Sequence, residues 1–389
     1  MTAPSLARGG LAPARNRSSA NRAMALPDAL QHVDFILGGA TLAVAALGVV
    51  MVYSATQGTE EAPTTYFLQR QAIFVLLGVG LMAGVAAFDY RRLRDWAIPI
   101  AGAALVLLFG VLTPLGAENK GIQAWYELAG FQLQPAELAK LALIIGLAAF
   151  LTLEQQEIDG RRLATILGIS AIPMALIMLQ PDLGTVLVFG VVTLAVVFIA
   201  GARPRHFAVL LLLGIVVTVG ILNSNVLADY QQDRLTNFAA PDSDADGSGY
   251  NQAQSQTAIS AGQMSGQGLF DGTQTGLGFV PEQHTDFIFT VVGEELGFLG
   301  GATLLALFTV ILWRIWRTAQ LARDEFGMLV CVGVLAMFLF QIFENVGMTM
   351  GIMPVTGIPL PLMSYGGSSI LTAFAAIGLV LNVHIHRFG

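Results

Sequence analysis

Several of the few ionisable residues in this sequence stand inside otherwise apolar stretches, where a charge is costly unless it is paired or faces a polar cavity. Glu137 and Lys140 lie three apart, just after Gln134-Pro135. That spacing puts both on one helix face, where they can pair, either as a structural ion pair in a bundle interior or as the wall of a polar cavity for an anionic or sugar substrate. Asp182 follows Pro181 and precedes Leu183-Gly184-Thr185; a carboxylate there caps a new helix or meets a cation or substrate. Asp286 ends the polar run Pro281-Glu282-Gln283-His284-Thr285 and precedes Phe287-Ile288-Phe289. It reads as a helix cap, or as a base taking a proton from a hydroxyl, with Glu282 and His284 close enough in sequence to tune it. Glu294 and Glu295 fall deeper in the same apolar stretch, where at least one must face protein or water. Glu344 is an acid in an apolar setting for which the sequence offers no role.

Other patterns exclude chemistry. The run Asp242-Ser243-Asp244-Ala245-Asp246-Gly247 opens like a calcium loop, but Ala253 stands where the twelfth position needs a bidentate glutamate. The glycines between Gly262 and Gly278 form no GxGxxG after a strand, so a nucleotide site is not indicated. Cys331 is the single cysteine and sits in an apolar run, as a buried thiol would. His384 and His386 beside Arg387 suit interfacial anchoring better than metal binding.

The elements that position these residues are dictated by composition. The 389 residues are 55% hydrophobic and 12% charged, with mean hydropathy +0.69, whereas soluble domains carry roughly 25% charged residues. Ten apolar stretches predict membrane-crossing helices, at 34–55, 71–88, 96–115, 135–153, 163–179, 183–200, 206–222, 287–313, 326–350 and 368–384. The alternating pattern of a membrane barrel is absent. The fold class is therefore all-α and polytopic. Gln180-Pro181-Asp182 is a tight reversal between the fifth and sixth stretches. Residues 355–369 combine prolines with small and hydroxyl residues; such backbone cannot lie against lipid, so a re-entrant or surface loop lining a cavity is expected.

Charge sets the orientation. Residues 1–30 hold Arg8, Arg15, Arg17 and Arg22 and lack the apolar core of a secretory signal, so they read as a disordered basic cytoplasmic tail before a single domain at 31–389. With that tail inside, the even-numbered gaps carry Arg91, Arg92, Arg94, Arg161, Arg162, Arg203, Arg205, Arg314, Arg317 and Arg323. The outer gaps carry only Arg70, Lys120 and Arg234, so both termini are expected to be cytoplasmic. The long segment 223–285, between the seventh and eighth helices, then lies outside. It is too rich in Gly, Gln, Ser and Asp for a core of its own, and reads as a loop built for a surface or a ligand.

Five motifs in order resemble the SEDS family (shape, elongation, division and sporulation), in its RodA-like branch. They are Gln134-Pro135-Ala136-Glu137-Leu138-Ala139-Lys140, Gln180-Pro181-Asp182-Leu183-Gly184-Thr185, Gly272-Thr273-Gln274 continuing through Pro281-Glu282-Gln283-His284-Thr285-Asp286, Glu294-Glu295-Leu296-Gly297, and Leu360-Pro361-Leu362-Met363-Ser364-Tyr365-Gly366-Gly367-Ser368. Gly357-Ile358-Pro359 and Asn345-Val346-Gly347-Met348 look like the elongation branch rather than the division branch. The resemblance covers nearly all of the chain after the tail. One departure is Ala124-Trp125, where relatives usually carry Arg-Trp, which puts a cationic contact to diphosphate at that place in doubt.

The resemblance implies a ten-helix peptidoglycan glycosyltransferase in a bacterial cytoplasmic (inner) membrane. It would polymerise lipid II at the outer face during elongation and shape maintenance, and release undecaprenyl diphosphate. Its implied partners are a class B penicillin-binding protein that cross-links the strand and other elongation-complex membrane proteins; no nucleic acid or nucleotide is involved. By motif position Asp286 is the catalytic residue. Glu137, Lys140 and Asp182 are expected to line the cavity with Gln134, Arg234, Glu282, His284, Ser364 and Ser368. A divalent cation, Mg2+ or Mn2+, is implied, with Asp286 or Asp182 as possible ligands. The competing reading is a lipid II flippase, since ten spans around a polar cavity also suit a transporter.

Overall fold

The computed structural model describes residues 33–57, 65–119, 122–128, 130–153, 158–210, 212, 214 and 248–388. Helices dominate them. Seven are long and apolar enough to cross a membrane: α1 (Phe35–Ala55), α2 (Tyr66–Ala87), α5 (Pro135–Leu153), α6 (Gly160–Met178), α11 (Gly297–Gln320), α12 (Glu325–Thr349) and α13 (Gly367–Ile385). Two shorter apolar helices, α4 (Ala97–Gly110) and α7 (Leu183–Ile199), complete the apolar set, and a charged five-residue turn of helix, α3 (Arg91–Asp95), leads into α4. The predicted seventh stretch, 206–222, lies mostly outside the described residues, as do residues 1–30 and 223–247.

Aspartates start many of these helices. Asp34, Asp159, Asp182 and Asp324 each accept a backbone N–H of the first turn of α1, α6, α7 and α12, the donors being Leu37, Arg162, Thr185 and Gly327. These bonds satisfy N–H groups that the helix itself leaves unpaired. Burial separates the helices into two rings. Of the best apolar window, 72% is buried in α5 and α12 and 89% in α13, against 22% in α2 and 28% in α11. The first three therefore form the centre of the bundle, while the others turn apolar faces outward, as a lipid solvent permits. The α2–α13 contact is close because Gly78 lies on the Phe374 ring and Gly378 lies on the Met82 backbone.

Three departures from the sequence reading bear on the site. First, residues 117–133 form a small antiparallel sheet in strand order β1 (Ala117–Asn119), β2 (Ile122–Leu128), β3 (Phe131–Leu133). Its β2–β3 turn uses Gly130 at φ +81°, a left-handed conformation that favours glycine. The sheet is pinned to the end of α4 by Tyr126, whose hydroxyl donates to the Leu107 carbonyl at 2.9 Å, and it delivers Gln134 to the start of α5.

Second, the single span expected at 287–313 is two helices, α10 (Ile288–Glu295) and α11, broken at Gly297 with φ +65°. The cause is the segment at residues 262–268, which lies in the break. A Cβ on Gly297 would meet Gly266 N at 2.3 Å. The first N–H groups of α11, on Phe298 and Leu299, donate to the carbonyls of Gln263 and Met264.

Third, the polar segment before residue 286 is not all loop. It contains α8 (Ser248–Ala261) and the short α9 (Thr273–Gly276). α8 docks on the end of α12 through glutamine and serine side chains: Gln252 donates to the Met348 and Met353 carbonyls, and Ser255 to Thr349.

Candidate active site

Two ends of the bundle differ in character. One carries the arginines of the even-numbered gaps; the opposite end carries the starts of α5, α7, α10 and α13 and is the candidate site. Among the described residues, Arg70 and Lys140 are the only Lys or Arg side chains at that end.

At the start of α5, Lys140 Nζ lies 2.6 Å from Glu137 Oε1, and both side chains are almost wholly buried. The pairing inferred from the three-residue spacing is present. One turn earlier, Gln134 Nε2 donates to Asp182 Oδ2 at 3.3 Å, while Asp182 Oδ1 accepts from Thr185 N at 2.9 Å. Asp182 thus caps α7 and meets Gln134 with its second oxygen. The Gln134 backbone N–H donates to Ser368 Oγ at the start of α13, and Ser368 donates on to the Gln132 carbonyl. Gln134, Asp182 and Ser368 form one hydrogen-bonded group beside the Glu137–Lys140 pair.

A second group surrounds the loop 351–366. As expected for irregular backbone in a membrane protein, it is buried in protein: Val355, Ile358, Leu360, Leu362, Met363 and Ser364 are all buried. It folds against α1 so closely that a Cβ on Gly48 would meet Met363 Cα at 2.8 Å. Gln71 of α2 donates to the Met363 and Ser364 carbonyls, and Ser364 Oγ accepts from Leu360 N at 2.8 Å. Ser364 is therefore a loop-forming hydroxyl. The Tyr365 backbone N–H donates to the His284 carbonyl at 2.9 Å. The His284 ring packs between Phe67 and Tyr365, at centroid distances of 5.0 and 5.6 Å. The Arg70 guanidinium lies over the Tyr66 ring, 4.6 Å from its centroid, and near the Tyr365 phenol; burial pushes that phenol's pKa up and the guanidinium opposes it.

Asp286 is partly exposed and lies between these groups. Glu282, at φ +53°, turns its carbonyl to accept from the backbone N–H groups of Thr285, Asp286 and Phe287. The Asp286 carbonyl accepts from Asn345 Nδ2 at 2.7 Å, and the same nitrogen donates to the Ile358 carbonyl at 2.8 Å. Asp286 is not the cap of the helix that follows: α10 has Phe287 at its N-cap and no side-chain cap bond. Ile358 leads back to the first group, since a Cβ on Gly184, two residues past Asp182, would meet Ile358 Cγ1 at 2.7 Å. Arg234 and the calcium-like run at 242–247 lie outside the described residues.

Sequence reasoning left Glu294, Glu295, Asn345, Glu344 and Arg70 without a specific role. The Glu294 carboxylate accepts from Thr273 Oγ1, Gln274 N, Thr275 N and Thr275 Oγ1, holding α9 in place. Glu295 accepts from Ser54 Oγ and Phe270 N. Glu344 accepts from Thr356 Oγ1 at 2.8 Å and so pins loop 351–366 to α12. The adjacency Glu344-Asn345 in an apolar helix was the available signal, because two buried polar residues there must have partners. His384, expected at the interface, is instead buried at the opposite end, where its Nδ1 lies 4.0 Å from Asp34 Oδ2.

These features define a polytopic helical membrane protein whose polar motif residues meet at one end of the bundle. The chain belongs to the FtsW/RodA/SpoVE family: the model of that family, described as "Cell cycle protein", matches residues 33–388. Among similar proteins, a probable peptidoglycan glycosyltransferase FtsW of Geobacter metallireducens is 38% identical over 92% of this chain and 96% of its own length. The stage V sporulation protein E of Bacillus subtilis is 39% identical over 90% and 96%. The peptidoglycan glycosyltransferase MrdB of Escherichia coli K12 is 35% identical over 82% and 86%. Of solved structures, the rod shape determining protein RodA of Thermus thermophilus aligns with TM-score 0.69 and 33% identity over 92% of this chain and 98% of that one. A chain of a peptidoglycan synthase complex, described for the coordination of polymerization and crosslinking, aligns with TM-score 0.78 and 34% identity, covering 92% and 98%.

Proposed function

We propose that the protein polymerises lipid II into glycan strands at the outer face of a bacterial cytoplasmic membrane, with Asp286 as general base. The chain is a peptidoglycan glycosyltransferase, the class for which its curated relatives are named. One observation carries the assignment of Asp286. It is a partly exposed carboxylate whose main chain is fastened on both sides, by the Glu282 carbonyl and by Asn345, at the junction of the two polar groups. A base must be held where the reacting hydroxyl arrives while keeping access to it.

In this reading an α-linked sugar diphosphate becomes a β-linked disaccharide by one in-line displacement. The acceptor sugar's 4-hydroxyl attacks the donor's anomeric carbon, its proton passes to an Asp286 carboxylate oxygen, and undecaprenyl diphosphate departs with the bonding electrons. Arg70 beside Tyr365 is the cation placed to meet the departing diphosphate; a planar guanidinium suits phosphate oxygens. It takes the part that Ala124, buried in β2, does not fill. Glu137 and Lys140 line the cavity wall as a neutralised pair.

A divalent cation fits this reading without a preformed cage. Among the described residues no three metal-ligating side chains gather, but Mg2+ is commonly held by one or two carboxylates together with substrate phosphates. Asp286 and Asp182 are the carboxylates that would donate to such an ion. When bound, the cation would neutralise charge on the leaving diphosphate.

We assign the protein to cell elongation, with a cross-linking class B penicillin-binding protein as its partner; the alignment with a synthase complex and with RodA supports this. The test is polymerisation of purified lipid II by the reconstituted protein, with and without that partner. Asp286→Ala is expected to lower the rate about 10²- to 10⁴-fold, the contribution of general-base catalysis. Wild-type rates in a folded mutant would remove Asp286 from the role. Labelled lipid crossing vesicles with no polymer under any condition would establish the flippase instead.

A further inference from the structure

Asn345 is fully buried one turn from the C-terminal end of α12, and its amide makes two bonds that together tie three pieces of chain. Nδ2 donates to the Asp286 carbonyl at 2.7 Å and to the Ile358 carbonyl at 2.8 Å. An amide nitrogen has two protons, and both are used. The orientation of the amide is fixed by chemistry: with its oxygen turned to this side, two carbonyls would face a third acceptor. No other residue type of this size offers two donors on one atom, since aspartate would place an oxygen against the same carbonyls.

The two acceptors belong to segments that carry the candidate site. Asp286 lies in 282–287 and Ile358 in 356–366, and the same segments meet again where Tyr365 N donates to the His284 carbonyl. The preceding residue, Glu344, holds Thr356, so two consecutive positions of one rigid helix clamp both segments. Phe287, next to Asp286, is buried among Ala258, Val280, Met348 and Val355, which fixes the chain just after the carboxylate but leaves its carbonyl to Asn345.

We infer that Asn345 is a positioning residue: its amide sets the main chain at Asp286 against the loop carrying Tyr365, so the carboxylate is held where the acceptor hydroxyl is deprotonated. The inference rests on the reading of Asp286 as the base. Losing the amide lets the Asp286 peptide and the loop move independently. A displacement of the order of 1 Å is enough to cost about 10²-fold in rate.

The experiment uses the full chain reconstituted in liposomes and has two readouts. For lipid II polymerisation, Asn345→Ala and the near-isosteric Asn345→Asp are compared with wild type. Each is expected to lower kcat at least tenfold with KM within twofold in protein that remains folded. The second readout needs no activity. In an Asp286→Cys background, where the only other thiol, Cys331, is buried, the alkylation rate by a membrane-impermeant maleimide is measured with Asn345 and with Asn345→Asp. A change of about fivefold or more is expected. If Asn345→Ala does not fold, Asn345→Asp alone decides both readouts.

Unchanged kcat and unchanged alkylation, with Asp286→Ala inactive, overturn the positioning role and leave the base assigned. An active Asp286→Ala overturns the base itself. A fall in kcat with unchanged alkylation also overturns the inference, because the amide would then be acting elsewhere.

Discussion

The two ends of the bundle differ in how they use charge. At the arginine-bearing end, charged side chains pair with one another as well as reaching helix-end carbonyls: Arg314 Nη2 lies 2.6 Å from Asp34 Oδ2, Tyr90 donates to Asp324 at 2.5 Å with Arg91 alongside, and Arg94 and Arg162 donate to the Thr152 and Leu151 carbonyls. Asn382 of α13 adds a clamp on the α2 end, through the Val85 and Phe88 carbonyls. At the site end, side chains mostly meet backbone. Gln71, Gln252, Gln283 and Asn345 donate to carbonyls of loops and helix ends, and Glu294 gathers backbone N–H groups of α9. The first arrangement closes helix ends by neutralising charge. The second fixes irregular chain in shape and leaves Asp286 and Arg70 partly exposed at the rim. Stability and chemistry should therefore separate between the ends.

The sharpest break is Asp286→Ala, already expected to cost about 10²- to 10⁴-fold in polymerisation; the fold should be retained, because the main-chain bonds to Glu282 and Asn345 do not need the carboxylate. Glu137→Ala should do the reverse in kind. It strands a buried Lys140 charge, and removing one partner of a buried pair costs about 3–5 kcal/mol. Thermal unfolding in detergent measures this, and Glu137→Ala with Lys140→Met should recover most of it. A double mutant as unstable as the single would mean that the pair is held by more than mutual neutralisation.

Arg70→Ala is expected to lower kcat/KM by about 10- to 100-fold, the loss of a charge-assisted hydrogen bond to phosphate worth about 1.5–3 kcal/mol. Arg70→Lys should recover only part, since a point charge replaces a fork. Arg314→Ala, at the other end, is expected to cost about 2 kcal/mol of stability by removing the two Arg314 N–H donors that meet Oδ2 of buried Asp34, and to leave kcat unchanged.

Much of this was legible in the sequence because lipid makes helix periodicity and charge placement unambiguous. The helices at 34–55, 135–153, 326–350 and 368–384 match their apolar stretches within a few residues. The Glu137–Lys140 pair followed from spacing alone, and the capping role of Asp182 from its place after Pro181. The rest depended on contacts between distant segments. The break at Gly297 could not be read locally, since it exists because residues 262–268 supply the carbonyls that α11 needs. The strands at 117–133 are short, and their alternation was masked by flanking apolar helices. Glu344 and Asn345 acquire meaning only from Thr356, Ile358 and Asp286, the last of them 59 residues earlier in the chain.

The smallest effect is the most exacting test of the separation between the two ends. Tyr90 is almost wholly buried, stacks on Phe326 and donates to Asp324; burial, reinforced by that carboxylate, pushes its phenol well above the ordinary tyrosine range, so it stays a donor at any physiological pH. Tyr90→Phe keeps the ring and its stacking and removes only the donated bond. Asp324 retains the Gly327 N–H and the Arg91 guanidinium, and its carboxylate is accessible enough for water to replace the phenol. The expected cost is therefore about 1 kcal/mol, near the net worth of one hydrogen bond, seen as a fall in melting temperature of a few degrees. Polymerisation should be untouched, because every bond of this cluster ends on α2, α3, α12 or α13 at the far end from Asp286. A fall in kcat at constant melting temperature would mean that the clamp at the arginine-bearing end is read through α12 by Asn345, and the two ends would then have to be treated as one coupled device.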